Sequence, residues 1–454
     1  MVNYILSKSP NGLFLIFERS VQFDFTIRRF YNLDYEKKRF IQLAKKNTRS
    51  YYEHHDQIPS SPGQVELAKE LVKEMKELGL DAYYNEKTAF AIGKLSANTA
   101  EKVTPIGFFA HVDTADFNAV NIKPQIHENY DGQKIILDEK DNIVLDPTEF
   151  PDLLNLKGQT LITSDGHTLL GVDDKAGITG ALAMLKYLTE HPEIEHGDVF
   201  VAFGPDEEIG CGGQYFDPAD FPNVEFAYTL DNGRPGDFEY DTFNASEVTI
   251  HIRGTVVHPG EAYGLMVNAT TLMNDFLSNL PQDQVPEKSR NHDGYFLVLH
   301  AQSNVDHADI SMIIRDFDQS EYNRKEQFIR DLVKKMNKKY GNRFTVNIRE
   351  QYENIYNYIK DKPYIVNLAL DAYRKSGLKP NVQSFRGGTD GNFISPKGIP
   401  TPNLFNGGGN YHGRYEYVTV EQIDKLAEVL TNIVTEHLRQ TRTGRNEKPL
   451  EKYW

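Results

Sequence analysis

The sequence predicts an α/β protein with a mostly parallel sheet and a smaller α+β domain inserted into it. Two observations support this prediction. Short apolar runs alternate with segments of helical periodicity over residues 36–240 and again over residues 353–454, which is typical of a parallel sheet covered by helices. Between these two parts, residues 241–352 follow the order β-α-β-β-α-β of a ferredoxin-like domain.

The composition limits the classes of function. The chain has 454 residues, enough for two or three domains, and its hydrophobic content of 39% is typical of a globular protein. A net charge of −15 argues against a nucleic-acid backbone as the main partner. No apolar run approaches the roughly 18 residues that a membrane span needs. A single cysteine, Cys211, excludes an internal disulfide and favours a reducing compartment, so we expect a cytoplasmic protein.

The first domain begins after residues 1–35, which we interpret as an extension of unknown role. A capping-box pattern at residues 61–64, with proline at the first helical position, precedes apolar residues at helical spacing and predicts a helix. Residues 81–84 and 89–95 are expected to form a pair of strands.

Apolar runs rich in β-branched and aromatic residues predict the buried strands of the sheet. These runs are residues 106–110, 199–203 and 226–230. A helix is expected after residue 177, where apolar side chains recur on one helical face.

The inserted domain and the end of the chain show the same two periodicities. In the inserted domain, strands are expected at residues 248–252, 295–300, 310–315 and 344–348, and helices at residues 266–280 and 325–340. After it, a helix is expected near Tyr364 and a last helix over residues 420–438. We expect the polar tail from Arg439 to fray.

Polar side chains follow each buried strand of the first domain. His111 and Asp113 follow the first strand, Glu207 and Glu208 the second, and Asp231 the third. Because the carboxyl ends of parallel strands form the ligand-binding edge of an α/β sheet, we expect these groups to lie together. Two adjacent glutamates repel each other at such an edge unless a cation or a bound proton compensates for their charge.

Taken one at a time, these groups have ordinary structural explanations. A His-x-Asp sequence is usually a core or surface pair, Asp173 and Asp174 favour a helix cap, and an acidic run is usually a solvated loop. Cys211 could act as a nucleophile, but no histidine neighbours it in sequence, so we expect it to pack beside the site. The joint placement of the groups along one edge of the sheet favours a metal site.

The candidate metal ligands are nitrogen and oxygen donors without thiolates: His111, Asp173, Glu208, Asp231 and His412. Such donors suit Zn²⁺, Co²⁺ or Mn²⁺. One catalytic zinc takes about three protein ligands and a water, so this set exceeds the need of a single ion. Two ions about 3.5–4 Å apart that share a carboxylate would use the whole set and would lower the pKa of a bound water to around 7.

The motifs that carry these residues resemble the motif set of the M20 di-zinc peptidases. The similarity extends from about residue 36 to about residue 440 and implies a catalytic domain with the inserted domain as its lid. The matching stretches are residues 111–114, 170–177, 205–208 and 410–413 in the catalytic domain and residues 255–260, 266–269 and 313–318 in the lid.

The resemblance implies roles in metal binding and proton transfer. Glu207 would be the general base, and Asp113 would orient the imidazole of His111. The ligands would divide between two zinc ions, with His111 and Asp231 on one, Glu208 and His412 on the other, and Asp173 bridging both.

The resemblance also implies residues that bind the substrate. His258 would reach over from the lid to polarise the scissile carbonyl group, and Asn268 lies in a second matching stretch of the lid. Arg315 and Arg386 would contact the peptide, where a planar guanidinium suits a carboxylate. A salt bridge with a neighbouring aspartate remains an equal alternative for Arg315.

The function that the resemblance implies is that of a di-zinc aminopeptidase that hydrolyses the N-terminal residue from tripeptides. A metal-bound hydroxide would attack, with a glutamate as general base. The residues leave open another M20-type dipeptidase, carboxypeptidase or amide deacylase, and a non-catalytic peptide-binding protein, which the complete ligand set disfavours. Lid domains of this superfamily often mediate homodimers, but the sequence itself does not set the oligomeric state.

Overall fold

The computed structural model describes residues 8–9, 12–13 and 33–450. The predicted extension over residues 1–35 lies outside the described residues, apart from two very short strands and the last three positions, which begin the first helix. Across the described ranges, no helix is both long and apolar enough to cross a membrane.

The strands are numbered in chain order. They are β1 (Lys8–Ser9), β2 (Gly12–Leu13), β3 (Asp81–Tyr84), β4 (Ala91–Leu95), β5 (Ile106–His111), β6 (Gln125–His127), β7 (Ile135–Asp138), β8 (Ile143–Leu145), β9 (Leu161–Thr163), β10 (Val199–Gly204), β11 (Phe226–Thr229), β12 (Asp237–Glu239), β13 (Asn244–Arg253), β14 (Tyr295–Ser303), β15 (His307–Asp316), β16 (Phe344–Tyr352), β17 (Asn381–Val382), β18 (Asn403–Leu404) and β19 (Tyr417–Thr419).

The α-helices are numbered in the same way. They are α1 (Leu33–Ala44), α2 (Pro62–Glu77), α3 (Val172–Glu190), α4 (Gly212–Tyr215), α5 (Ala269–Ser278), α6 (Gln319–Tyr340), α7 (Tyr356–Ile359), α8 (Pro363–Lys375), α9 (Asp390–Ile394) and α10 (Val420–Thr443).

The larger sheet has eight strands in the order β17-β12-β18-β11-β5-β10-β4-β3. Its middle strands β18, β11, β5 and β10 run parallel to one another. On one side β4 and β3 continue the sheet antiparallel. The three apolar runs of the sequence form β5, β10 and β11, so the prediction of a mostly parallel sheet is confirmed.

Two packed cores cover the faces of this sheet. Successive side chains of a strand point to opposite faces. Phe108 therefore joins the core that includes residues of α3 and α10, whereas Phe109 packs with Phe216 and Phe221 in an aromatic cluster on the other face. Every residue of β5 and β10 is buried, so the polar groups that follow these strands begin from a rigid frame.

A second sheet with its own core forms the part of the chain predicted to be inserted. Its four strands have the order β14-β15-β13-β16 and are antiparallel. Val248, Leu272, Met312 and Ile329 belong to the core between this sheet and helices α5 and α6. The element order β13-α5-β14-β15-α6-β16 confirms the predicted ferredoxin-like pattern, while the domain boundaries at residues 241 and 352 stay a prediction.

Some elements differ from the sequence prediction. Helix α1 was not predicted, nor was the small sheet β19-β9-β6. The prediction of a frayed tail is wrong for residues 439–450. Helix α10 continues to Thr443, Arg445 binds Glu225, and Leu450 packs against the main core. Local sequence did not show these contacts of residues 439–450, because the partners come from distant parts of the chain.

Candidate metal centre and active site

A cavity of about 620 Å³ opens at the carboxyl ends of the central strands. Residues after β10 and β11, at the start of α3, and in the turn before β19 form part of its wall. The predicted site residues in this wall are Asp173, Glu207, Glu208, Asp231 and His412. Residues from four separate stretches therefore meet at the edge of the sheet that the sequence indicated.

The first group of metal donors surrounds His111, the last residue of β5. Its Nε2 atom lies 3.0 Å from Oδ1 of Asp173 and 3.8 Å from Oδ1 of Asp231. The side chain of His111 is 1% exposed. Each of the three residues offers a ligand atom within 4.8 Å of the other two.

The second group shares Asp173 with the first. Nε2 of His412 lies 3.2 Å from Oδ2 of Asp173 and 3.1 Å from Oε2 of Glu208. These three residues also place their ligand atoms within 4.8 Å of one another. The two carboxylate oxygens of Asp173 thus face two different histidines, which is the geometry of a bridging ligand.

The charges at this centre favour cations. Burial, followed by the nearby charge of Asp173, raises the pKa of Glu208 to about 7 and that of Asp231 to about 6. Hydrogen bonds to Asp173 and Glu208 raise the pKa of His412 to about 11. The carboxylates therefore favour positive charge at this centre.

One further observation supports a fit to metal. Oε1 of Glu208 is buried and has no hydrogen-bond partner within the described part of the chain. Burial raises the pKa of Asp173, but its hydrogen bonds to His111 and His412 outweigh burial and keep the pKa below its usual value. The donor set of carboxylates and imidazoles, with a shared carboxylate and an unpaired buried oxygen, fits two ions of the zinc type.

Asp113 connects the first histidine to the glutamate pair. Its Oδ1 lies 3.2 Å from Nδ1 of His111. Its two carboxylate oxygens also accept the backbone N–H groups of Glu207 at 3.0 Å and Glu208 at 3.1 Å. The contact with His111 is the one expected from sequence, whereas the support of the glutamate loop was not foreseen.

Glu207 and Glu208 point to different surroundings. Glu208 contacts His412, while Glu207 lines both this cavity and an adjoining cavity of about 580 Å³. Burial, followed by the charge of Asp231, raises the pKa of Glu207 well above its usual value. Glu207 is therefore a carboxyl group beside the metal donors that can hold a proton.

Asp206 attaches the glutamate loop to the start of α2. It accepts hydrogen bonds from the Ser60 backbone at 2.8 Å, the Ser60 hydroxyl at 2.5 Å and the Gln64 amide at 2.7 Å. Gln64 in turn accepts the backbone N–H of Asp206 at 3.0 Å. The predicted capping box is therefore wrong in its contacts, because Ser61 makes no side-chain cap and Gln64 binds Asp206 instead.

The two aspartates at the start of α3 have different surroundings. The Asp174 carboxylate accepts the backbone N–H of Gly177 at 3.1 Å, which is a helix-capping contact. Asp173 lines the cavity. Asp174 therefore caps the helix, whereas Asp173 lies where a metal ligand is expected.

The residues predicted to bind substrate lie elsewhere. Among the described residues, the cavity wall does not include His258, Asn268, Arg315 or Arg386. Asn268 caps α5 by accepting the backbone N–H of Thr270. His258 is exposed and accepts the backbone N–H of Gly260 at 3.2 Å.

Both arginines donate to backbone carbonyl groups. Arg315 donates to the carbonyls of Ser246 at 3.2 Å and Ile314 at 2.9 Å. Arg386 donates to the carbonyls of Asn291 at 2.6 Å and Asp293 at 2.9 Å. The aspartates next to Arg315 have other partners, since Lys325 pairs with Asp316 and Asp318 caps α6.

Cys211 lies in the wall of the adjoining cavity. Burial raises the pKa of its thiol, which argues against a thiolate nucleophile.

Two buried carboxylates near the centre were not singled out from sequence. Asp390 accepts the backbone N–H of Gly213 at 2.6 Å, and Glu416 binds the loop that carries Asp173. Local sequence offered no signal for either, because their partners are more than 170 positions away.

Comparison with known proteins defines the class. Residues 161–436 match the model of peptidase family M20/M25/M40. The chain is 46% identical over 399 residues to Peptidase T of Fusobacterium nucleatum subsp. nucleatum, which is 88% of this chain and 96% of that protein. The chain therefore belongs to peptidase family M20/M25/M40. Within the family its similarity is to peptidase T, and it is an enzyme, a metallo-aminopeptidase.

Solved structures share the fold. Aminopeptidase PepT from Bacillus cereus superposes with a TM-score of 0.72 at 23% identity, covering 90% of this chain and 100% of that chain. A tripeptidase from Staphylococcus aureus superposes with a TM-score of 0.71 at 20% identity, with the same coverage of 90% and 100%.

Proposed function

We propose that this enzyme is a di-zinc aminopeptidase that removes the N-terminal residue from tripeptides. The observation that carries the proposal is the position of Asp173, whose two oxygens face the histidines of separate donor groups. The similarity to Peptidase T over most of the chain supports the aminopeptidase activity, and the likeness in fold to a tripeptidase agrees with a tripeptide substrate.

The two donor groups would each hold one ion. Asp173 would be shared, with His111 and Asp231 on one side and Glu208 and His412 on the other. Zinc is the proposed metal because imidazole and carboxylate donors suit it, although Co²⁺ and Mn²⁺ accept the same donors. When bound, the ion pair would supply an activated water and would polarise the scissile carbonyl group.

Glu207 would move the proton. Its half-buried side chain lines the cavity and is free of the contact with His412 that occupies Glu208. It would take a proton from the attacking water and deliver it to the leaving amine. Asp113 would hold the Glu207 backbone and the His111 ring in their positions for this step.

Substrate binding would involve closure of a lid. We assign residues 241–352 to the lid and residues 36–240 and 353–454 to the catalytic domain. Closure would bring His258 to the scissile carbonyl group and Asn268 to the peptide, while Arg315 and Arg386 would exchange carbonyl contacts for the peptide carboxylate. A homodimer through the lid and a cytoplasmic location complete the proposal.

Metal content and peptide profiling on one purified sample test this function. We expect about two zinc ions per chain and faster hydrolysis of tripeptides than of dipeptides or tetrapeptides. Acetylated tripeptides should resist cleavage. Equal cleavage of acetylated and free peptides would contradict an aminopeptidase, and release of the C-terminal residue first would indicate a carboxypeptidase. Peptide binding without turnover would indicate a binding protein.

A further inference from the structure

Glu416 is a buried carboxylate between two loops that carry candidate metal ligands. The residue is 1% exposed and follows His412 in the same turn. Its Oε2 atom accepts the backbone N–H groups of Leu170 at 2.7 Å and Gly171 at 2.6 Å. Its Oε1 atom accepts the backbone N–H of Asp173 at 3.2 Å. One side chain therefore fastens the loop of Asp173 to the turn of His412.

The turn of His412 depends on such a connection. The side chain of His412 is 55% exposed, whereas that of His111 is 1% exposed. The surrounding side chains therefore fix the position of the buried His111. The exposed side chain of His412 has much less such packing around it. His412 also has a φ of 64°, in the left-handed region, so its backbone geometry requires support from the rest of the turn.

A second contact joins the same two segments. The hydroxyl of Ser164, just after β9, donates to the carbonyl of Arg414 at 3.2 Å and to that of Thr168 at 2.8 Å. The hydroxyl of Ser164 makes these contacts through one oxygen, whereas the two oxygens of Glu416 accept three N–H groups. Glu416 is therefore the main connection, because it accepts three hydrogen bonds from the loop whereas Ser164 donates to one carbonyl of the turn.

The chemistry of the loop requires a carboxylate at this position. Within the described part of the chain, the hydrogen bonds that Glu416 accepts all come from backbone N–H donors. Both oxygens of a carboxylate accept hydrogen bonds. In glutamine one oxygen is replaced by an NH₂ group, which is itself a donor and would face a backbone N–H group. A glutamine would therefore lose contacts on one of its two sides, although its size is nearly the same.

We propose that Glu416 is a positioning residue for the metal pair. It sets the position of Asp173 relative to His412 and so sets metal affinity at the group formed by Asp173, Glu208 and His412. Among the described residues, those that line the cavity do not include Glu416, so it acts through the ligands. This inference rests on the proposed function, because it requires that these residues bind metal.

Titration of metal-free protein with Co²⁺, followed by visible absorption, tests the role of Glu416. In Glu416→Gln, one of the two ions should bind about 10- to 100-fold more weakly than in the wild type. Loss of a residue that orients metal ligands typically lowers metal affinity by this factor. The other ion should be affected less. Glu416→Asp keeps a carboxyl group with two oxygens and should retain part of the affinity that Glu416→Gln loses.

Asp220→Asn is the matched control. Asp220 is also a buried carboxylate, and it accepts hydrogen bonds from the Tyr83 hydroxyl at 2.8 Å and the Asn85 amide at 2.7 Å. Its contacts lie between β3 and the 3₁₀ turn before β11, away from the ligand loops. The variant should therefore bind Co²⁺ as the wild type does, whatever its thermal stability.

The outcomes separate the positioning role from the proposed function. If Glu416→Gln binds both Co²⁺ ions as tightly as the wild type and only its stability falls, the positioning role is wrong and the proposed function stands. If the wild type binds no pair of ions, the proposed function itself is wrong. If Glu416→Gln does not fold, the affinity of Glu416→Asp decides: a weaker second ion supports the proposal, and unchanged binding overturns it.

Discussion

Nε2 of His111 lies 3.0 Å from Oδ1 of Asp173, although the two residues are 62 positions apart in the chain. The contact joins the end of a central strand to the start of a helix. Since the other oxygen of Asp173 faces His412, one carboxylate belongs to both donor groups.

Replacement of Asp173 should disturb both metal sites at once. In Asp173→Ala we expect the zinc content to fall from about two ions to less than one per chain, because each ion loses a ligand. Asp231→Ala removes a ligand from one group only and should keep about one ion. Metal analysis of both variants after dialysis measures the difference. Retention of two ions by Asp173→Ala would exclude the bridging role.

Replacement of Glu207 should separate catalysis from metal binding. In Glu207→Ala we expect kcat to fall by roughly 10²- to 10⁴-fold, which is the usual contribution of a general base. The zinc content should stay at the wild-type value, because Glu207 belongs to neither donor group. Glu208→Gln is the matched comparison and should lose zinc. Equal zinc loss in the two variants would refute this division of roles.

His258 should contribute to turnover without contributing to metal binding. In His258→Ala we expect kcat to fall by at least about tenfold with unchanged zinc, since a donor to the scissile oxygen is lost. His251→Ala is the control, because His251 is exposed on β13, the strand that precedes His258, and pairs with Asp309. Steady-state kinetics on a tripeptide compare the two variants, and a wild-type kcat in His258→Ala would remove the lid histidine from the mechanism.

The contact between Gln64 and Asp206 should matter for stability. Gln64→Ala leaves the buried Asp206 with unpaired groups, so we expect the free energy of unfolding to fall by about 1–3 kcal/mol. Gln327→Ala on the surface of α6 should change it by less than about 0.5 kcal/mol. Urea unfolding measures both. If the two variants have the same free energy of unfolding, contacts other than Gln64 hold the loop of Asp206 in place.

The pairing of Glu225 with Arg445 predicts a pH-dependent stability. Burial raises the pKa of Glu225, but hydrogen bonds from Arg445, Thr104 and Tyr364 outweigh burial and lower the pKa from 4.5 to about 2. The folded protein therefore binds fewer protons than the unfolded chain, so the stabilisation is complete above about pH 5 and is lost as the pH falls toward 2.

Arg445→Gln tests this pair. The variant should be less stable than the wild type by about 1–2 kcal/mol at pH 7, after allowance for the partial exposure of the pair, and the difference should shrink at about pH 3.5. Urea unfolding at the two pH values measures this. Arg439→Gln, which removes an exposed partner of Glu436, is the control and should show a smaller difference. A difference that grows on acidification would contradict the assigned direction of the pKa shift.

The local sequence pattern predicted the secondary structure correctly where the residues that contact each other are also close in sequence. The buried runs, the helix after residue 177 and the ferredoxin-like element order were predicted because a strand or helix shows its periodicity within a few turns. The prediction was wrong where a distant partner competed. Gln64 could cap its own helix, but Asp206 offers it a buried charged acceptor.

The sequence was enough to show which residues end the central strands and that their donors suit a pair of metal ions. The family motifs then indicated how these donors divide between the ions. The folded chain alone showed that Asp173 turns its two oxygens to different histidines, that Asp174 caps the helix, and that Glu416 holds the loop between them. Such contacts depend on the packing of segments that are remote in sequence, and no local periodicity encodes the direction of a side chain across that distance.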